Sequence, residues 1–197
     1  MDIQELSTIF GSKTKAQEIL FLLHDLKPAV RQGFYASELP LVEDFCQKKG
    51  LFLVKSTFKV LLSDHEHFSN QGLRIPESDP RTGMYFIYIS KDEETALLAA
   101  YYELVQNDPE LGLTLGYPEC CIDYFLNHFS LENSNPEITS KNLFTNLSQR
   151  HEDCVLLSHF PCSAECLKSI EIGQKNLELL QKVDSVRAKE MIDSLGK

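Results

Sequence analysis

Residues 84–93 read Met-Tyr-Phe-Ile-Tyr-Ile-Ser-Lys-Asp-Glu, and this stretch decides the fold class. Its aromatic and β-branched first part, residues 84–89, predicts a strand. The next four residues have the capping-box pattern, in which Ser90 would cap a helix and Glu93 would reach back to it. Apolar residues then recur to about Gln106, which predicts a helix. A strand that leads directly into a helix indicates a chain that mixes both kinds of structure.

The flanking sequence extends this interpretation in both directions. Apolar spacing predicts helices over residues 13–26 and 39–49, and alternation over residues 51–62 predicts a half-buried strand. Residues 63–83 are polar and rich in Gly and Pro, so they are expected to form a long loop. A long C-terminal helix is expected from position 161 or 162 toward Leu195.

These elements predict an α+β fold that is mostly helical, with a small sheet and a long C-terminal helix. The chain has 197 residues, a length that suits a single domain over residues 1–197. Within it, residues 1–50 are expected to be a helical N-terminal part. Residues 51–197 are expected to hold the sheet and a cysteine-bearing helical core.

Charge and hydropathy limit the classes of partner. The net charge is −10, from 29 acidic and 19 basic residues, and no basic patch interrupts it, so no nucleic-acid partner is expected. No apolar run approaches the roughly 20 residues that span a bilayer, so no membrane partner is expected. The N-terminal residues lack the features of a signal peptide, so a cytoplasmic location with reduced thiols is expected. A protein partner stays possible, and a small-molecule substrate stays unknown.

Four of the six cysteines lie in two short segments of similar design. The first segment, residues 115–125, reads Leu-Gly-Tyr-Pro-Glu-Cys-Cys-Ile-Asp-Tyr-Phe, and the second, residues 159–166, reads His-Phe-Pro-Cys-Ser-Ala-Glu-Cys. In each, a proline stands one or two residues before a cysteine. Proline favours the first helical position, which places both clusters in first turns. A helix N-terminus stabilises the thiolate, the form that binds metal or attacks an electrophile.

Their spacing predicts a thiolate-rich metal centre. Cys162 and Cys166 stand four apart and would share one face of a helix. We therefore expect the metal ligands to be Cys120, Cys121, Cys162 and Cys166, with His159 as a further ligand or a supporting group. All-thiolate sets suit iron–sulfur clusters, and sets that include imidazole suit zinc, so both cofactors stay open.

The other candidate residues are assigned to simpler roles. Buried packing is an alternative for any free cysteine and is the favoured role for Cys46 and Cys154, which stand among apolar residues. His65 and His67 form an HxH pair in the polar loop, and solvation is the favoured interpretation there.

The two cysteine segments, together with Tyr-Ile-Ser-Lys-Asp-Glu-Glu at residues 88–94, resemble a mainly archaeal family known as domain of unknown function 483. The resemblance covers about the last two-thirds of the chain and implies that both segments belong to one module. It supplies no reaction and no catalytic residues.

Three functions follow as hypotheses. The first is an iron–sulfur or other thiolate-bound metal protein that acts in redox or sulfur-transfer chemistry. The second is a structural-zinc module that binds a protein. The third is a metal-free thiol redox enzyme that uses Cys162 with Cys166, or Cys120 with Cys121. Whether the protein is an enzyme is left open.

Overall fold

A computed structural model describes residues 2–62, 72–129 and 140–196. The described elements are eight α-helices, four strands and a 3₁₀ turn at Arg150–Glu152. In chain order they are α1 (Ile3–Phe10), α2 (Lys13–Leu23), β1 (Ala29–Phe34), α3 (Leu39–Lys49), β2 (Phe52–Leu62), β3 (Gly72–Pro76), β4 (Met84–Ser90), α4 (Glu93–Leu104), α5 (Asp108–Thr114), α6 (Glu119–His128), α7 (Leu167–Val183) and α8 (Ser185–Leu195).

The four strands form one antiparallel sheet in the order β1-β4-β2-β3. β4 pairs with β1 on one side, with Ile87 opposite Gln32, and with β2 on the other, with Ile87 opposite Lys55. The β2–β4 register shifts between Lys55 and Lys59. β4 is therefore an inner strand with neighbours on both sides.

Helices cover both faces of this sheet. Ile87 and Ile89 of β4 belong to the larger core, to which α1, α2, α3, α7 and α8 contribute. Tyr88, between them in sequence, points to the opposite face and packs with Ala99 of α4 and Leu111 of α5. Because side chains alternate along a strand, a strand covered on both faces is apolar throughout. This explains the uninterrupted apolar run of residues 84–89.

The predicted α+β class is confirmed, with helices in the majority and a small sheet. Two strands were not expected. β1 lies within residues 1–50, for which only helices were expected, and β3 lies within the supposed loop 63–83. β1 carries Arg31, Gln32 and Gly33, so its short sequence shows little of the pattern expected for a strand. Residues 63–71, which include His65 and His67, lie outside the described residues.

The predicted role of Ser90 as a helix cap is wrong. Ser90 is the last residue of β4, and its Oγ donates a hydrogen bond to the Pro28 carbonyl at 2.8 Å. The cap of α4 is Asp92, whose carboxylate accepts from the Thr95 backbone N–H at 2.8 Å. Asp and Ser are comparable helix caps, so the local pattern alone did not distinguish the two positions.

The C-terminus is helical as predicted, but the helical stretch begins later and is divided in two. α7 begins at Leu167, and Asp184 separates it from α8 with a non-helical backbone (φ −151°, ψ 80°). The Asp184 carboxylate accepts from the backbone N–H of Arg187 in α8 and from that of Ile3 in α1, both at 2.9 Å. The first of these hydrogen bonds caps the start of α8, and the second links the break to the start of α1.

One buried carboxylate joins α4 to the sheet. The Glu103 side chain, 6% exposed, accepts hydrogen bonds from Arg31 of β1 and from Arg74 of β3. The Arg31 guanidinium also stacks on Phe86 with its carbon 3.8 Å from the ring centroid, and Arg74 lies 4.3 Å from the centroid of Phe58. This arrangement connects the helix to both edge strands.

Candidate metal centre

A tight turn between α5 and α6 presents the first cysteine pair. Gly116 has φ +78°, and a Cβ at this position would lie 2.8 Å from Pro28 Cδ, so both the backbone and the available space require glycine. Pro118 then starts α6, and its carbonyl accepts from the backbone N–H of Cys121 at 2.9 Å. Cys120 and Cys121 therefore lie in the first turn of α6, as predicted.

The second cysteine pair precedes α7. Cys166 is the N-cap residue of α7, and Cys162 lies in the irregular segment before it. The expectation that the two share one helical face is therefore wrong. The segment is held by a hydrogen bond of 2.7 Å from Thr145 Oγ1 to the Ala164 carbonyl, and by edge-to-face contact of Phe160 with Phe129. Since Phe129 caps the C-terminus of α6, apolar packing brings the two segments together.

All four cysteine sulfurs of the two segments converge. The Sγ–Sγ distances are 3.9 Å for Cys120–Cys121, 3.8 Å for Cys120–Cys166 and 3.7 Å for Cys121–Cys166. Cys162 completes the group, in which all ligand atoms lie within 4.8 Å of one another. Cys121 and Cys166 are buried, Cys162 is half-buried and Cys120 is exposed. The four thiols form a group that could hold a metal ion.

These separations match those between the ligands of a single ion. Sulfurs at 2.3 Å from a tetrahedral Zn²⁺ stand about 3.8 Å apart. Three of the measured Sγ–Sγ distances lie within about 0.1 Å of that value. The four sulfurs could therefore bind an ion at the centre of the group without a large movement of the chain.

Ser169 connects the thiols to His159. The Ser169 hydroxyl lies 3.3 Å from Cys121 Sγ and 2.9 Å from Nε2 of His159, and both Ser169 and His159 are buried. If Cys121 binds a metal as a thiolate, its sulfur can only accept a hydrogen bond, so Ser169 would donate to Cys121 and accept from an Nε2–H of His159. The Ser169 hydroxyl therefore lies between His159 Nε2 and Cys121 Sγ.

The local surroundings differ among the thiols of the metal-free protein. Burial raises the pKa of Cys166, but hydrogen bonds from the Ser169 side chain and backbone, and from Cys162 and Cys121, outweigh it and lower the pKa to about 6. Burial raises the pKa of Cys121 well above its usual range, and burial with the neighbouring thiols raises that of Cys162 to about 11. A Cys166 thiolate beside the protonated thiols of Cys121 and Cys162 is an arrangement from which a bound cation would displace protons.

Two helix N-termini offset part of that negative charge. α6 and α7 both begin at the cysteines, and the positive ends of their dipoles stabilise thiolates. The backbone N–H of Cys162 also donates to Cys121 Sγ at 3.4 Å. The chain therefore provides hydrogen bonds and positive potential at the sulfurs.

The remaining cysteines lie elsewhere. Cys46 and Cys154 are 1% and 4% exposed and belong to the larger core, as their apolar neighbours predicted. Burial, with a smaller contribution from Glu43, raises the pKa of Cys46 to about 12. Such a thiol acts as a small apolar group.

Sequence reasoning did not find Ser169. The signal was present, because Ser169 stands three residues after Cys166, and residues three apart in the first turn of a helix lie close together. Its contact with His159, however, joins two segments that only the fold brings together.

Comparison with known families gives one match. The model of the family described as "Protein of unknown function (DUF483)" matches residues 95–193, half of the chain. The chain belongs to this family. The DUF483 match contains all four clustered cysteines, His159 and Ser169, and it excludes all four strands. No curated protein and no solved structure matches the chain at a significant level.

Among the described residues, no helix is both long enough and apolar enough to pass through a membrane.

Proposed function

We propose that this DUF483 protein binds one tetrahedral metal ion, zinc, through Cys120, Cys121, Cys162 and Cys166 in the cytoplasm. The observation that carries the proposal is the convergence of four sulfurs from two distant segments at separations suited to one ion. The acidic net charge of −10 is the reason to leave nucleic acid out of the proposal. A protein partner stays a prediction.

A single ion fits these separations better than a cluster of four irons. In a four-iron cluster each thiolate binds a different iron atom, and the sulfurs are spread well beyond the distances observed here. Tetrahedral all-sulfur sites hold zinc or iron. Zinc is preferred because it keeps one oxidation state and has no geometric preference that the protein must overcome.

The proposed site is closed, which supports a structural role. Four protein ligands fill the tetrahedral coordination of zinc and leave no position for a substrate. The ion would link the start of α6 to the segment before α7, of which residues 153–166 contain no α-helix or strand. Its role would be to hold this segment in place, and His159 would support Cys121 through Ser169 instead of binding the ion.

Metal analysis of protein purified without oxygen tests the proposal. We expect a colourless protein with about one zinc ion per chain. Brown protein with iron and acid-labile sulfide would support the iron–sulfur hypothesis. Protein without metal, whose thiols are alkylated rapidly at neutral pH, would support the thiol redox hypothesis, and either of these outcomes contradicts the zinc proposal.

Zinc affinity is expected to fall steeply as the pH is lowered. The raised pKa values of Cys121 and Cys162 keep both thiols protonated at neutral pH, so zinc must displace at least two protons. Each displaced proton lowers the apparent affinity about tenfold per pH unit, so we expect a loss of about 100-fold from pH 8 to pH 7. Competition with a chelator of known affinity at each pH measures this slope, and a pH-independent affinity would contradict thiolate ligation.

Ser169→Ala is expected to weaken zinc binding about 10- to 100-fold without abolishing it, because groups that orient a metal ligand contribute by about that much. The substitution removes the Ser169 hydroxyl that contacts Cys121 Sγ. It also leaves His159 Nε2 without this hydrogen-bond partner. Ser163→Ala is the control, since Ser163 is exposed in the same segment. Chelator competition compares the two, and equal affinity in both variants would exclude the role assigned to Ser169.

A further inference from the structure

A small cavity adjoins His159, and none of the four clustered cysteines lines it. It has a volume of about 50 Å³, and several polar side chains line it: Lys27, Tyr117, Ser158, His159 and Asn176. Tyr117 and Ser158 are half-buried, so the cavity is nearest to solvent at these two side chains. A volume of 50 Å³ is room for roughly three water molecules or one small oxyanion.

Lys27 places a buried positive charge at this cavity. It is 8% exposed; its Nζ donates to Ser158 Oγ and lies 3.6 Å from a carboxylate oxygen of Glu18. The ammonium group has three N–H donors, so these two contacts leave one donor for a ligand. Its Nζ is also 5.5 Å from the centroid of the Tyr117 ring.

The cavity also contains a hydrogen-bond acceptor that lacks a donor. Asn176 is 3% exposed, and its Nδ2 donates to the Leu156 carbonyl at 2.8 Å. This hydrogen bond determines which end of the amide is the oxygen. Within residues 2–62, 72–129 and 140–196, Asn176 Oδ1 has no hydrogen-bond partner. A buried acceptor without a donor is destabilising, so a donor from a ligand or a water is favoured here.

The charges around the cavity favour an anion. Arg150 lies close enough to interact electrostatically with Tyr117 and Glu18. Lys27 and Arg150 carry two positive charges and Glu18 carries one negative charge, so these three groups sum to +1. The chain as a whole has a net charge of −10. Desolvation, with a contribution from Lys27, lowers the pKa of His159 to about 3, so its ring adds no charge at neutral pH.

We propose that this cavity binds a small oxyanion that still carries a proton, such as hydrogen phosphate or hydrogen carbonate. Lys27 contacts the charged oxygens, and Asn176 Oδ1 accepts the O–H of the ligand. The unpartnered Asn176 oxygen and the buried ammonium group of Lys27 line the same cavity, and this carries the inference, because a protonated oxyanion offers a donor to Asn176 and a negative oxygen to Lys27. The inference is independent of the metal, which His159 reaches only through Ser169.

Anion discrimination in calorimetry tests it. Full-length protein, dialysed free of unbound metal, is titrated at pH 8 with inorganic phosphate, hydrogen carbonate or sulfate. We expect phosphate or hydrogen carbonate to bind at least tenfold more tightly than sulfate, because sulfate carries no proton at this pH and would face Asn176 Oδ1 with another acceptor. No measurable binding of either protonated anion, or equal binding of sulfate, would overturn the proposal.

Variants locate the site. Lys27→Met should weaken the binding of the preferred anion more than tenfold, whereas Lys182→Met, at an exposed position of α7, should leave it unchanged. Far-UV circular dichroism checks that both variants are folded. If Lys27→Met does not fold, the comparison of anions on the unaltered protein still decides the proposal. Unchanged binding in a folded Lys27→Met variant would overturn the assignment of the cavity.

Discussion

Replacing Cys162 with serine is expected to lower bound zinc from about one ion per chain to less than a tenth. Serine has no thiolate, and its hydroxyl is a poor ligand for zinc beside three sulfurs. Cys162 is half-buried, so little apolar packing is lost with the sulfur. The free energy of unfolding should fall on the order of 5 kcal/mol, because metal binding contributes directly to folding. Elemental analysis and urea unfolding measure the two effects.

Cys46→Ser is the matched control, because the chemical change is the same at a buried cysteine far from the other thiols. Cys46 is 1% exposed among apolar side chains of the larger core. The variant should lose about 1–3 kcal/mol of stability by burying a hydroxyl, yet keep its zinc. Equal zinc content in the two serine variants would defeat the assignment of the site.

Glu103→Ala is expected to lower the free energy of unfolding by about 3 kcal/mol, since it removes the shared partner of two arginines. The carboxylate is almost fully buried and accepts from both Arg31 and Arg74. The side chains of both arginines are about a third exposed, so water can partly rehydrate them after the substitution. The loss of stability should therefore lie at the lower end of the range for a broken buried ion pair. Urea unfolding measures the change.

Glu178→Ala, at an exposed position in α7, is the control for Glu103→Ala and should change stability by about 0.5 kcal/mol or less. If both variants lose the same stability, the loss does not depend on the arginine contacts, and the Glu103 contacts would contribute nothing of their own. Zinc content should be unchanged in both variants, because neither residue lies among the thiols.

The position of Glu103 also connects the DUF483 match to the rest of the chain. The match begins within α4, and Glu103 lies inside it. Its two arginine partners lie on strands outside the match. The ion pairs of Glu103 therefore join α4, at the start of the matched region, to strands that lie outside it.

The predicted closeness of the two cysteine pairs is confirmed, although one reason given for it was wrong. The proline and the two cysteines of residues 118–121 indicated a helix start, and α6 begins there. The same argument applied to Cys162 and Cys166 predicted a shared helical face, whereas α7 begins only after Cys166. Their sulfurs nevertheless lie close, because packing of Phe160 against Phe129 positions this segment.

Local patterns determined the strands of residues 52–62 and 84–90, the helices of residues 13–23 and 39–49, and the cysteine spacing, because periodicity and helix-start preferences act over a few neighbouring residues. Only the tertiary structure decided that β1 joins the sheet, that Ser169 links His159 to Cys121, and that Lys27 meets Asn176 at one cavity. These contacts join residues far apart in sequence, and their energies arise from burial and from long-range pairing. No short stretch of sequence contains that information.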